Sequence, residues 1–206
     1  MKKIIFLMLP FIFCIPQINA GQLEVDLGIG SSYDATATRT WVGLSSDGEA
    51  KLTGSDIRFL YSSDQTISFG LRLANHEGED TKGLGSGYAY KISISETSPF
   101  VKYSFPFSGE GATVIEGFGI GGLNLATMKV SHSLFSEASD STTGLMLEGG
   151  IFVGMKSNDM TFGGGIILPL DSYQASYEWN LYGYPFIYDA TVKKNLSIFL
   201  IFKTEI

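Results

Sequence analysis

The chain has 206 residues, with 14 Lys plus Arg against 21 Asp plus Glu, 25 glycines and one cysteine. Residues 1–20 hold that cysteine and two of the basic residues but no acid, so a chain starting at Gly21 carries a net charge of −9 (12 − 21) and can form no disulfide. That balance excludes nucleic acid as a partner, whose phosphates demand basic surface, and the absent thiols exclude a disulfide-stapled scaffold.

Lys2 and Lys3 precede an apolar run from Ile4 to Ile15, and Ile18-Asn19-Ala20 closes the segment on a small residue. This is the pattern of a cleaved export signal. Pro10 and Pro16 interrupt the run, which is also shorter than the roughly 20 residues of a spanning helix. Cys14 follows Phe11-Ile12-Phe13, too bulky for a lipidation box. The expected organisation is a signal peptide at 1–20 and one domain at 21–206.

From residue 22 onward the apolar positions alternate. Leu23, Val25, Leu27 and Ile29 lie on one face, with Glu24 and Asp26 between them. The same period-two pattern recurs in Ile67-Phe69-Leu71-Leu73, in Val101-Tyr103-Phe105-Phe107 and in Leu145-Leu147-Ile151-Val153-Met155. Such alternation marks strands with one apolar face. It does not say whether that face turns toward a core or toward lipid. The export signal, together with the glycine and charge of the opposite face, points to lipid outside and a polar lumen inside.

The expected strands are 22–32, 51–61, 65–76, 87–107, 112–127, 143–156, 159–170 and 193–206. The second, fourth and sixth connections, at 62–64, 108–111 and 157–158, are tight. The other four, at 33–50, 77–86, 128–142 and 171–192, are long and rich in Ser, Thr, Gly and Tyr. Short periplasmic turns alternating with long outer loops are the habit of outer-membrane barrels. The predicted fold is therefore all-β, an eight-stranded antiparallel up-and-down transmembrane barrel. A ten-strand alternative arises because segment 87–107 is twice the usual length, contains Pro99 and changes its apolar parity between Ile94 and Val101. A β-bulge there, with an outer half projecting above the membrane, would reconcile it with eight strands. The lipid-facing side of 112–127 is ambiguous, because Gly117, Gly119 and Gly121 share one face and Glu116, Phe118 and Ile120 the other.

With Phe100-Val101-Lys102-Tyr103-Ser104-Phe105-Pro106-Phe107 before a turn, the glycine-spaced 116–122 strand and the Gly-rich 149–165 hairpin, the chain resembles small outer-membrane barrels of the OmpX, Ail, OmpA-barrel and opacity-protein type. The resemblance spans the mature chain as an architecture. It implies a Gram-negative outer membrane, lipid and lipopolysaccharide as surroundings, and insertion by the barrel-assembly machinery. Those proteins end in Phe or Trp, whereas this chain ends in Ile206.

Glu24, Asp26, Arg58, Arg72, Lys102, Glu148 and Lys156 fall on the polar face with mixed signs, and in a narrow lumen they are expected to pair into a plug. Trp41, Tyr173, Tyr177, Trp179, Tyr182 and Tyr184 are candidate loop-surface aromatics, read as an interfacial girdle or an adhesive patch. His76 and His132, placed at or beyond strand ends, are too few for a metal site, and no cofactor is expected. Ser131, His132, Ser133 and Glu137 are the one cluster with nucleophile chemistry, but neighbours in a serine-rich loop seldom hold triad geometry. The expected role is non-enzymatic, through surface interaction with an extracellular protein or host ligand, or in envelope integrity. The alternatives are a narrow porin-like channel, a lipid-modifying enzyme and a soluble lipocalin-like β-protein.

Overall fold

The computed structural model describes residues 21–64, 66–80, 89–108, 112–132, 135–170 and 172–206. The expected signal segment lies outside them. Among the described residues there are eleven strand segments: β1 Gln22–Ile29, β2 Ser32–Trp41, β3 Leu44–Ser62, β4 Ile67–Asp80, β5 Tyr90–Ser108, β6 Thr113–His132, β7 Phe135–Ser157, β8 Met160–Pro169, β9 Ser172–Leu181, β10 Tyr184–Lys194 and β11 Ser197–Glu205. Their order around the sheet is β1-β11-β8-β7-β6-β5-β4-β3-β2-β10-β9, and a β1–β3 ladder closes the ring. Every ladder is antiparallel.

Three pairs of segments are single long strands with one interruption: β1 with β2, β8 with β9, and β10 with β11. Counted this way the barrel has eight strand positions, and ten is excluded because β5 runs unbroken from Tyr90 to Ser108. At the bottom, Gly21 and Ile206 exchange backbone hydrogen bonds of 3.0 and 2.8 Å beside the β1–β11 seam.

The β1–β2 and β10–β11 interruptions shift register by one residue, whereas across β8–β9 odd residues stay inward throughout. Leu27 stands opposite Ile57 and Ser32 opposite Thr53, so five steps of the first strand span four of β3. Gly30, with φ +69°, takes the conformation this bulge requires. The inward face consequently switches from the even residues Glu24 and Asp26 to the odd residues Tyr33, Ala35 and Ala37.

No such shift occurs at Pro99, which stays in ladder opposite Leu71. The expected bulge between Ile94 and Val101 is therefore corrected; the one irregularity of the β5–β6 ladder lies at Pro106/Ser108. On β5 the even residues point inward along the whole length: Tyr90, Ile92 and Ile94 above, Glu96, Ser98, Phe100, Lys102 and Ser104 below. What changes is the solvent outside. In the lower half Val101, Tyr103 and Phe105 face outward and charges face in; in the upper half Lys91 faces outward and apolar groups face in.

This inversion holds around the ring. The lower exterior is a belt of exposed Leu23, Phe59, Phe69, Tyr103, Leu147, Ile151, Phe162, Ile166, Ile198 and Phe202, among others, on strand lengths near the 9–11 residues that cross a bilayer. On β6 the lipid side is that of Gly117, Gly119, Gly121, Leu123 and Leu125, with Glu116, Phe118 and Ile120 buried inside. The upper exterior carries Asp34, Thr36, Thr38, Asp47, Glu49, Glu77, Lys129 and Glu178. The barrel is thus a transmembrane cylinder continued by a water-facing cylinder with an apolar core.

The long outer loops expected at 33–50, 128–142 and 171–192 are mostly this continuation. Residues 33–41 and 44–50 form a hairpin over Val42-Gly43, and Tyr182-Gly183 is the turn of another. Segment 77–80 belongs to β4, and 81–86 lies outside the described residues. Serine- and threonine-rich strands face water here, so their composition resembled loop.

Candidate functional site

The lower lumen is filled by charges that alternate along the strands and meet across the barrel. Nearest the periplasmic turns, Lys102 approaches Glu24 at 2.5 Å and Glu116 at 3.3 Å, while Lys203 approaches Glu116 at 2.7 Å and Glu24 at 3.3 Å. The ammonium groups also lie over rings, Lys102 over Phe118 at 4.6 Å and Lys203 over Phe152 at 4.8 Å.

Above this square is a second layer. Arg58 meets Glu148 at 2.7 Å; Lys194 lies 2.7 Å from Glu148 and 3.3 Å from Asp56; Arg72 lies 3.0 Å from Asp56 and 2.7 Å from Glu96. All of these side chains are fully buried. Arg72 donates to the Tyr33 hydroxyl (2.7 Å), which donates to Glu96 (2.5 Å). Ser98 donates to Asn124 (2.9 Å), and Asn124 in turn donates to Glu96 and to the Tyr173 hydroxyl. A closed mesh of ion pairs and hydroxyls therefore crosses the lumen from wall to wall.

No family model matches the chain, and no curated protein matches it in sequence. Among solved structures it is similar to the outer membrane protein OprG of Pseudomonas aeruginosa, at 16% identity over 90% of this chain and 96% of that one, with a TM-score of 0.56. The fold is that of the outer-membrane β-barrels. Two further likenesses are looser. One is to Ail, the attachment invasion locus protein of Yersinia pestis, in complex with the heparin analogue sucrose octasulfate, at 11% identity over 88% of this chain and 98% of that one (TM-score 0.42). The other is to Neisserial surface protein A, at 12% identity over 90% and 98% (TM-score 0.38).

In this outer-membrane barrel fold, six of the seven expected lumen charges stand inside: Glu24, Asp26, Arg58, Arg72, Lys102 and Glu148. Lys156 does not. It shares their parity but sits at the periplasmic rim, half-exposed and 2.8 Å from Glu205. Asp56, Glu96, Glu116, Lys194 and Lys203 complete the mesh and were missed from sequence. Asp56 sits two residues before Arg58, so strand parity alone marks it; Glu96 and Lys194 lie where the apolar parity flips, which hid them.

The aromatic candidates are likewise redistributed. Tyr173, Tyr177 and Trp179 are not on the surface: they are 5%, 4% and 8% exposed and point into the upper cylinder with Phe186 and Tyr188. Only Tyr182 and Tyr184 stand out at the β9–β10 turn, with Trp41 partly exposed at the mouth. The girdle reading fails for the buried three because their strand lies above the apolar belt, where rings must turn inward to leave water.

His76 is not at a strand end. It lies within β4, 1% exposed, 3.0 Å from the Ser31 hydroxyl and edge-on to the Tyr33 ring at 4.5 Å. Burial pushes its imidazole down to about 4. His132, at the end of β6, packs on Tyr90 with centroids 4.5 Å apart, and Glu137 pairs with Lys129 at 2.9 Å. Ser133 lies outside the described residues. Among the described residues no group of His, Cys, Asp or Glu is arranged to hold a metal ion.

Proposed function

We propose that the protein is a closed, non-enzymatic outer-membrane barrel that acts through its water-facing cylinder, as a rigid surface for an extracellular protein or host ligand or for envelope cohesion. The observation that carries this reading is the buried mesh around Arg58, Arg72, Asp56, Glu96, Glu148 and Lys194, which leaves the transmembrane lumen filled. A buried charge stripped of one partner costs several kcal/mol, so opening a continuous aqueous path would require breaking several pairs together. On this reading the mature chain begins at Gly21, is inserted by the barrel-assembly machinery, and meets lipid and lipopolysaccharide along its belt.

A channel is the rival reading, and planar-bilayer recording separates the two. The refolded barrel is expected to give no discrete conductance steps. Steps whose size changes in Arg72→Gln would overturn the closed reading and make the lumen a pore.

A further inference from the structure

Two tight turns stand side by side at the outer end of the barrel. Val42-Gly43 joins β2 to β3 and Tyr182-Gly183 joins β9 to β10, and the β2–β10 ladder sets Trp41 opposite Phe186, so the two hairpins reach outward together. Each turn holds positive φ at both central residues: +50° and +77° in the first, +52° and +87° in the second. Two-residue turns of this mirror-image kind favour Asn, Asp or Gly at the first position, because other side chains crowd their own backbone there, β-branched ones most of all. Among the described residues the remaining non-glycine residue with positive φ is Asn158, in the β7–β8 turn at the periplasmic end. The same backbone shape is made with a favoured residue at one end of the barrel and with valine and tyrosine at the other.

The unfavoured choices face solvent. Tyr182 leaves 88% of its surface exposed and Leu44 75%, and Trp41, Val42, Tyr184 and Pro185 are exposed beside them. Residues 40–46 and 179–188 contain no charged side chain. Each tip is also closed on itself: the Thr40 and Ser45 hydroxyls lie 3.2 Å apart, and the Gly183 N–H donates to the Asn180 side-chain oxygen at 2.9 Å. Strain kept at an exposed position marks a residue retained for what it touches rather than for the fold.

Such tips fit a lipid headgroup region better than a protein. A standard protein interface buries about 800 Å² on each partner and carries about one hydrogen bond per 100–200 Å²; two turns of two residues present a fraction of that area. Tyr and Trp beside aliphatic groups are the residues that sit where bilayer meets water. Below the tips the wall carries Asp47, Glu49, Glu178 and Asp189 outward, which repel an anionic surface and leave a zwitterionic one. The outward lysines of these strands, Lys51 and Lys193, lie at the base, in ladder with Asp34. Trp41 stands seven residues (41 − 34) beyond Asp34, roughly 23 Å along the strand at about 3.3 Å per residue, so the bilayer it reaches is not the one the barrel spans.

We propose that the paired β2–β3 and β9–β10 tips insert into the headgroup region of a zwitterionic lipid surface apposed to the outer membrane, with Val42, Leu44, Tyr182 and Tyr184 as the inserting side chains. The inference rests on the surface role proposed above, whose partner it names, and is independent of whether the lumen is closed. Conductance steps would remove the closed lumen and leave the tips untouched; a silent lumen without vesicle binding would remove the role of the tips alone.

The test uses the full mature barrel in phosphatidylcholine nanodiscs, mixed with vesicles of phosphatidylcholine whose chains are brominated near the glycerol. The chain's two tryptophans are Trp41 and the buried Trp179, so in Trp179→Phe quenching reports Trp41 alone. Its emission is expected to shift to the blue and to be quenched as vesicles are added, and the parent barrel is expected to float with the vesicles. Phosphatidylglycerol in the vesicles is expected to weaken flotation, less so at high salt. Val42→Asn combined with Tyr182→Asn supplies the residue each turn favours. That double variant is expected to raise the unfolding midpoint of the barrel while weakening vesicle binding at least about tenfold. No flotation, no quenching of Trp41 in a barrel that keeps its heat-dependent gel shift, binding unchanged in the double variant, or binding that requires phosphatidylglycerol would each overturn the assignment.

Discussion

Arg58 on β3 and Glu148 on β7 approach to 2.7 Å at the centre of the barrel, 90 residues apart in sequence and both fully buried. Glu148 is shared with Lys194, and Arg58 also lies 4.5 Å from the centroid of Phe199. Removing the arginine leaves the carboxylate with one partner. Arg58→Met is therefore expected to cost about 3–5 kcal/mol. Adding Glu148→Gln is expected to recover much of that. Urea unfolding of the barrel in lipid vesicles reads both, and a double variant as unstable as the single would remove the coupling.

The boundary between lipid and water can be mapped on one strand. Leu147 on β7 faces outward in the belt and Thr143 faces outward above it. Leu147→Arg is expected to destabilise by about 2–4 kcal/mol if it lies near the midplane and less toward the interface. Thr143→Arg is expected to change stability by less than about 0.5 kcal/mol. Equal costs in the vesicle assay would place the boundary elsewhere.

Glycines differ in what they permit. A Cβ on Gly54 would stand 1.8 Å from the Asn75 carbonyl oxygen, whereas one on Gly119 meets nothing within 4 Å. Gly54→Ala must push β3 from β4 and is expected to cost at least about 1–3 kcal/mol, the range of overpacking. Gly119→Ala, on the lipid face, is expected to be near neutral. Comparing unfolding midpoints of the two variants checks the pair.

The upper cylinder has a weak seam. The β7–β8 ladder stops at Glu148↔Pro169, with Leu170 N–H still donating to Leu147 at 2.9 Å. Above that point, among the described residues, β7 and β9 form no ladder. Side chains bridge instead: the Tyr177 hydroxyl crosses from β9 to donate to the Met128 carbonyl on β6 (2.8 Å), and Tyr173 accepts from Asn124. Amides facing the seam are expected to exchange with deuterium faster than those between β5 and β6. Tyr177→Phe is expected to widen the difference, and uniform protection would close the seam.

Acid should weaken the kink beside Ser31. An imidazole in an unfolded chain titrates near about 6.5, and burial lowers His76 to about 4. Between those values the unfolded chain binds the extra proton, so stability falls as pH drops from about 6.5 toward 4. His76→Gln is expected to flatten that part of the pH profile relative to the parent. Parallel urea titrations at pH 7.5 and 4.5 test it, and identical profiles would show that His76 is not the responsible group.

Strand parity was legible in the sequence because a strand with lipid on one side cannot hide its period: Leu23, Val25, Leu27 and Ile29 declare the wall, and Glu24 and Asp26 the lumen. The eight strand positions follow from the same pattern, as does the turn at 157–158; the one expected at 108–111 falls mostly outside the described residues. Residues 33–50 and 171–192 read as loop because hydroxyl-rich outward positions diluted it. An outer half above the membrane was legible in the sequence for 87–107, from its length; only the tertiary structure decided that the exterior changes from lipid to water partway up the strands all around the ring. A strand crossing that boundary keeps its direction and turns its apolar side from outside to inside, so Ile94 and Val101 lie on opposite faces of one unbroken β5. The tertiary structure also decided which charges meet, since Arg58 and Glu148 are brought together by the closure of the ring, a long-range event that no local spacing encodes.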